Sequence, residues 1–445
     1  MQFLRNWWWP TFVFVYPLLA WPGRSDLGPA FTVHAYFTGS FILIGIVLEL
    51  LEPQWRSMRI RRAVTAAFRH HPPVAVALAF GAWVVAAAFF SPDAPIALTG
   101  SLVSFGDGAI WMVAMITVFI LVYVRTLHTP RVGRMIAVAV VASGMALAIA
   151  ALVEVLLGHG LVFNVPKADL PMVTFPQKGH LSGMIALAGG VAVGLAPYVV
   201  LPALAFGIGL CLNRSSGVAL LVGTFLPLLR RRRAMRTTMV TVVLVVVGLL
   251  VGGVVAKAGT DSSKAVASAS TLQSRTFYYR AAVRGIAARP FLGWGGGNFE
   301  FAWPRFLSLA ELSRFGQEEW GFQDVLSSQV STSGPPVLVI HDKFGKLTLS
   351  TVRTFKAHDQ VLEALLMWGI PGALLYLALF ALALRGLGRA RPLAIGLLVY
   401  GLFTLLWFVI PQTQGLLWAM VAASNAEQHR FSTSHEASGA SLMSG

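Results

Sequence analysis

Long apolar runs, separated by short basic or Pro/Gly-rich breaks, recur from one end of this chain to the other. A helix needs about 20 apolar residues to cross a bilayer. Runs near 10–22, 30–51, 73–91, 108–124, 135–157, 181–197, 199–212, 215–229, 236–256, 359–384, 393–410 and 412–425 reach or approach that length. Composition agrees: charged residues make up only 12% of the 445, against roughly 25% in soluble domains, and mean hydropathy is +0.71. The predicted fold is an all-α polytopic membrane protein with about twelve transmembrane helices. The three runs between 181 and 229 are short and closely joined, so the count is loosest there.

The basic residues are placed as a membrane protein places them. With the N-terminus inside, the inner connections hold Arg56, Arg59, Arg61, Arg62 and Arg69, then Arg125, Arg131 and Arg134, then Arg230 to Arg233 with Arg236, then Arg385, Arg389 and Arg391. The outer ones hold Arg24 with Asp26, Asp93, and Lys167 with Asp169. Lys/Arg bias across short loops sets orientation, so the net charge of +16 reports topology rather than nucleic acid. The first span is expected to stay as an anchor, since no small-residue cleavage site follows it. The single cysteine, Cys211, excludes an intrachain disulfide and a Cys-rich metal site.

One polar, basic stretch interrupts the apolar pattern, from about Ala256 to Leu362. A connection of roughly a hundred residues between spans is expected to have a function. The charge pattern puts it on the outer face. The predicted organisation is spans over 1–256, the large loop over 257–358, the last spans over 359–425, and a disordered inner tail over 426–445. Inside the loop, Thr271 to Ala288 has helical periodicity, with Tyr278, Ala281, Ala282 and Ile286 on the apolar face. Pro290 stops that helix, and the glycines from Gly293 to Gly297 make a tight turn. Phe306 to Val325 suggests a second helix, and Val337–Ile340 and Leu347–Val352 short extended segments. No internal repeat is found.

Several polar residues fall on the outer side, where chemistry could be done. His358 stands at the start of a span, followed by Asp359 and, a turn later, Glu363. A carboxylate beside a histidine can fix its tautomer and raise its basicity, as in a general base. A helix-capping interfacial histidine is the plainer alternative. Glu363 favours function, because an ionisable group within a membrane helix is costly. Arg275, Arg280, Arg284 and Arg289 lie within fifteen residues, on or just after the loop helix. Guanidinium forks bind phosphate oxygens, though a basic helix above anionic lipid headgroups could equally be an anchor. Tyr279 is on the same helix. Arg214 falls at the outer end of two short spans, where a snorkelling role is the competing reading. Lys178 and His180, in Thr174–His180, either line the same cavity or form a polar turn. Glu154, His34 and Asp107 carry no motif. The Gly293–Gly297 run lacks the Gly-Lys-Ser/Thr ending of a nucleotide loop. No metal-ligand spacing occurs, so neither metal nor other cofactor is expected.

Together these stretches resemble the O-antigen ligase/Wzy polymerase superfamily. Arg275-x-x-x-Tyr279, Ala281-Ala282 and Arg289-Pro290-x-x-Gly293-x-Gly295-x-x-Asn298-Phe299 are similar to one loop motif of that family. Ala357-His358-Asp359-x-x-Leu362 with Gly369-x-x-Gly372 resembles the other, and Thr174–His180 a looser third. Asp359 stands where the family has Asn, Tyr279 where it has Trp, and Asn213-Arg214-Ser215 where it has Ser-Arg-Gly. The resemblance implies a GT-C-type glycosyltransferase of the bacterial inner membrane, with its active site facing the periplasm. The donor it implies is an undecaprenyl-pyrophosphate-linked glycan. The acceptor is a lipid A-core sugar in the ligases, a lipid-linked repeat in the polymerases, or a protein hydroxyl in related oligosaccharyltransferases. It casts His358 as base and Arg275 and Arg214 as catalytic diphosphate binders, with Arg280, Arg284, Tyr279, Lys178, His180, Asp359 and Glu363 around the substrate. A lipid-linked sugar transporter or flippase is the rival class. That class tends to show repeated halves and midplane charges, whereas here the polar groups gather at one face.

Overall fold

The computed structural model describes residues 2–21, 27–51, 71–100, 105–165, 167–195, 199–229, 235–259, 270–330, 336–351, 356–389 and 391–443. Arg24, Asp26, Arg56, Arg59, Arg61, Arg62, Arg69 and Arg230 to Arg233 of the charge pattern lie outside them.

Helices occupy the apolar runs: α1 (Gln2–Val15), α2 (Leu27–Leu50), α3 (Pro72–Phe89), a short α4 (Ala94–Thr99), α5 (Ala109–His128), α6 (Arg131–Leu157), α7 (Lys178–Leu195), α8 (Val200–Leu210), α9 (Arg214–Leu229) and α10 (Met235–Gly259). Within the long polar stretch come α11 (Ser270–Ala288), α12 (Phe299–Ala302), α13 (Leu309–Trp320), β1 (Asp324–Gln329), β2 (Val337–His341) and β3 (Leu347–Thr351). The chain ends with α14 (Gln360–Leu384), α15 (Pro392–Thr404) and α16 (Pro411–Met443). Among the described residues, 7 helices are long and apolar enough to cross a membrane, fewer than the sequence count. Length explains much of the gap. α8, with 11 residues, and α15, with 13, rise only about 16 and 20 Å, against a hydrocarbon core of about 30 Å.

Other boundaries differ too. The first helix begins at Gln2 and ends at Val15, ahead of the expected 10–22. The last helix continues to Met443, where a disordered tail is predicted from 426. Packing carries it past Asn425: Ala426 is buried and Gln428 Nε2 donates to the Ala383 carbonyl at 2.6 Å.

The fold is also not purely helical. The three strands form one antiparallel sheet in the order β1–β2–β3, with Val325 opposite Ile340 and Val339 opposite Leu349. β2 and β3 fall on the expected extended segments; β1 is additional. The sheet rests on α13, which opens with a capping box between Ser308 and Glu311. This layer has its own apolar core, in which Phe277, Trp303, Phe315, Leu338 and Leu366 pack together. It is separate from the bundle core built around residues such as Phe80, Phe119, Met184 and Trp418.

α14 is broken, and the break joins the two layers. Gly369 is non-helical, with φ 64° and ψ −175°, and Pro371 has no N–H to return to the preceding turn. Carbonyls freed inside an apolar bundle must find donors. Trp294 N donates to Leu366 O at 2.7 Å, Gly295 N to Met367 O at 2.9 Å, and Ile370 N to Pro290 O at 2.7 Å. Trp83 Nε1 supplies Trp368 O at 2.7 Å. The glycine turn after α11 is thus a plug for the helix break. Gly293 (φ 67°) has to be glycine there, since a Cβ would stand 2.6 Å from the Leu366 carbonyl.

Gly369→Ala and Gly293→Ala each combine a left-handed backbone with a collision. Each is expected to destabilise by on the order of 2–5 kcal/mol. Gly401→Ala, in an open position within α15, should be neutral or slightly stabilising. Apparent melting midpoints in one detergent check this, and equal midpoints for all three would remove the plug from the account.

Candidate active site

The connection between α15 and α16 carries Trp407 and Phe408, and three fastenings hold it. Val409 N donates to Gln360 Oε1 at 2.9 Å. Tyr16 Oη donates to Pro411 O at 2.7 Å. Trp407 Nε1 donates to Ser215 Oγ at 3.1 Å, in the first turn of α9. Phe403 stacks on Trp407 with centroids 5.7 Å apart.

Around these two rings the structure gathers residues from three distant parts of the chain. The Arg275 guanidinium, from α11, lies over Trp407 at 5.7 Å. His180, in the first turn of α7, meets Trp407 and Phe408 edge-on, each at 4.9 Å. His358, just before α14, is 5.3 Å from Phe408 and 6.4 Å from Trp407. Tyr278 closes the other side of the His358 ring at 4.9 Å.

His358 is poised in a defined protonation state. Its Nδ1 lies 2.8 Å from the Lys356 carbonyl, which can only accept, so Nδ1 carries the proton and Nε2 exposes its lone pair. Among the described residues nothing hydrogen-bonds Nε2. Burial drives its pKa down to about 4, and the Arg275 and Lys356 charges act in the same direction. Its backbone is left-handed, with φ 52°, a conformation that costs a side-chain-bearing residue about 1–3 kcal/mol.

Arg275 is the complementary feature. It is half-buried, its Nε is sequestered without a hydrogen-bond partner, and it makes no ion pair among the described residues. Burial lowers its pKa, while Tyr279 and Glu319 act through space to support its charge. A desolvated guanidinium without a carboxylate is an anion site in waiting. Burial raises the Tyr279 phenol, and both Arg275 and Asp359 influence it, which places Tyr279 beside the cluster.

Arg214 and Lys178 stand at the first residues of α9 and α7. Arg214 is exposed and Lys178 half-buried, and neither forms a hydrogen bond or ion pair among the described residues. Arg214 adjoins Ser215, which holds Trp407; Ser216 meets Ser182 at 2.7 Å and links the two helix starts. Glu154 shapes the approach to α7 by accepting from Leu161, Met172 and Val173 N–H at 2.8–2.9 Å.

Other expected site residues are engaged elsewhere. Arg280 and Arg284 turn to Glu311 at 3.4 and 2.8 Å, fastening α11 to α13. The Arg284 bonds hold the Glu311 carboxyl down at about 2. Arg289 donates to Phe90 O at 2.6 Å. Asp359 does not orient His358. It caps α14, accepting from Val361 and Leu362 N–H at 2.8 and 2.9 Å. The tautomer is set instead by a backbone carbonyl, and Glu363 turns away to accept from Ala357 N–H.

Sequence reasoning missed Trp407, Phe408 and Lys356. The two aromatics were absorbed into an apolar run, and only the brevity of α15 leaves them outside a helix. No protein-family model matches this chain, and no curated protein sequence matches it.

Chemically the cluster offers a neutral imidazole base beside an unpaired, half-buried cation. Since folding depresses the His358 pKa from 6.5 to about 4, its stabilising contribution is complete above 6.5 and is lost as pH falls towards 4. The groups acting on that ring are Arg275, Tyr278, His180 and Lys356. The apparent melting midpoint should fall more steeply between pH 6.5 and 4 in the wild type than in His358→Gln. Parallel slopes would contradict the buried neutral state.

Proposed function

We propose that this protein is an O-antigen ligase-like glycosyltransferase of the bacterial inner membrane. It moves a glycan from undecaprenyl pyrophosphate to a sugar hydroxyl of lipid A-core at the periplasmic face. The observation that carries this reading is the convergence of His358, with Nε2 open, and the unpaired Arg275 on the Trp407 ring. A hydroxyl acceptor needs a proton acceptor, and a lipid diphosphate needs a positive seat; the cluster provides both at one end of the helical bundle.

In the proposed reaction the acceptor oxygen attacks the anomeric carbon as its proton passes to His358 Nε2. The new carbon–oxygen bond forms on the face opposite the leaving group, so configuration inverts. The bond from the anomeric carbon to the phosphate oxygen breaks, and its electron pair leaves with undecaprenyl diphosphate. Arg275, with Arg214 and Lys178 at the adjoining helix starts, neutralises the charge that builds there. Burial is the main force holding His358 down, and arrival of the diphosphate offsets the positive field of Arg275 and Lys356 that adds to it. The base thus strengthens when its substrate is present.

Purified protein in detergent, given the lipid-linked glycan and lipid A-core, should form product without any ion gradient. His358→Ala is expected to lower kcat by about 10²–10⁴ and Arg275→Ala by about 10²–10³, with both variants inserted and folded. Normal transfer by His358→Ala would refute the base assignment. Capless core in a deletion strain identifies a ligase, whereas single repeats on the core redirect the reading to a polymerase.

A further inference from the structure

Behind His358 lies a charged group that the reaction above does not use. The Lys356 ammonium pairs with Asp107 and stands 3.9 Å from Glu363 Oε2, with little of any of the three side chains exposed. Burial works against the Lys356 charge, but Asp107, Glu363 and Glu300 outweigh it and keep the amine charged. The ammonium lies 6.0 Å from the Phe408 ring, the ring that His358 and His180 also contact. The trio borders an internal cavity also lined by Gln360, Trp368 and Gln414.

Each member grips the short turn that presents the histidine. Lys356 contributes the carbonyl that takes His358 Nδ1–H. Glu363, in the first turn of α14, takes the N–H of Ala357. Asp107 comes from the other side, from the turn leading into α5, and its carbonyl is packed against Gly296 of the glycine turn. Downstream, the Asp359 cap fixes the exit into α14. A left-handed histidine is held only where its surroundings over-determine it, and these contacts do so on both sides.

We infer that Asp107, Lys356 and Glu363 are positioning residues: a buried ionic clamp that locks the 356–358 turn, keeps the His358 proton on Nδ1 and leaves Nε2 free to accept one. The inference rests on the reading of His358 as the base, but its structural half can be measured without turnover.

The test is the ¹⁵N signature of the His358 imidazole, in full-length protein in detergent at neutral pH, assigned by its loss in His358→Gln. The wild type should show one neutral tautomer protonated at Nδ1. Lys356→Met should mix the tautomers and lower kcat by about 10²-fold, with little change in donor KM. The doubly neutral Asp107→Asn/Lys356→Met variant leaves no lone aspartate against the turn. It should show the same loss while retaining the wild-type melting behaviour more closely. A single Nδ1–H tautomer persisting in both variants, or its absence from the wild type, overturns the clamp. Loss of the tautomer in the variants, with no glycan transfer by any preparation, supports the clamp and removes the transferase reading instead.

Discussion

The glycine turn after α11 and the break in α14 complete one another, and much else depends on that exchange. Neither is stable alone: the break leaves carbonyls at Leu366, Met367 and Trp368, and the turn carries N–H groups from Trp294 and Gly295 that need acceptors. In water the mismatch would be small, because solvent satisfies both sides. Within an apolar bundle each unmet group costs several kcal/mol, so the loop layer and the bundle are held in one register. The first half of α14 can therefore end early and bring His358 over the bundle end. α11, continuous with the same turn, carries Arg275 to meet it.

What meets there is organised by aromatic rings more than by ion pairs. Trp407 is held by Ser215 and stacked on Phe403, so its face is a fixed surface for Arg275. Phe408 is contacted by both His180 and His358 and lies 6.0 Å from the Lys356 ammonium. Burial, helped by the Arg275 and Lys356 charges, keeps the base neutral, while its Nδ1 stays tied to the Lys356 carbonyl.

The apolar runs, the loop helix and the second loop helix were legible because periodicity and Pro/Gly punctuation are local signals. His358 and Arg275 were legible as chemistry, yet the roles of their neighbours were not. Asp359 looks like a histidine partner in sequence and proves to be a helix cap, since a carboxylate one position before a helix is drawn to the first free N–H groups. Arg280 and Arg284 resemble an anion patch until Glu311, well downstream, claims them. Trp407 hides in an apolar run because nothing in a one-dimensional pattern says where a buried helix stops. The same limit applies to the spans: runs such as 199–212 and 393–410 have the composition of a crossing without its full length.

The loop layer has an interior of its own, in which Phe315, Leu338 and Ile340 pack apart from the bundle core. Sites that share no partners vary almost independently. Drift at exposed positions of the three-stranded sheet, such as Leu347 and Leu349, therefore stays within that layer, while the broken helix and its plug tolerate almost none. Such a division lets the exposed face of the sheet diversify across generations and leaves the setting of His358 and Arg275 untouched.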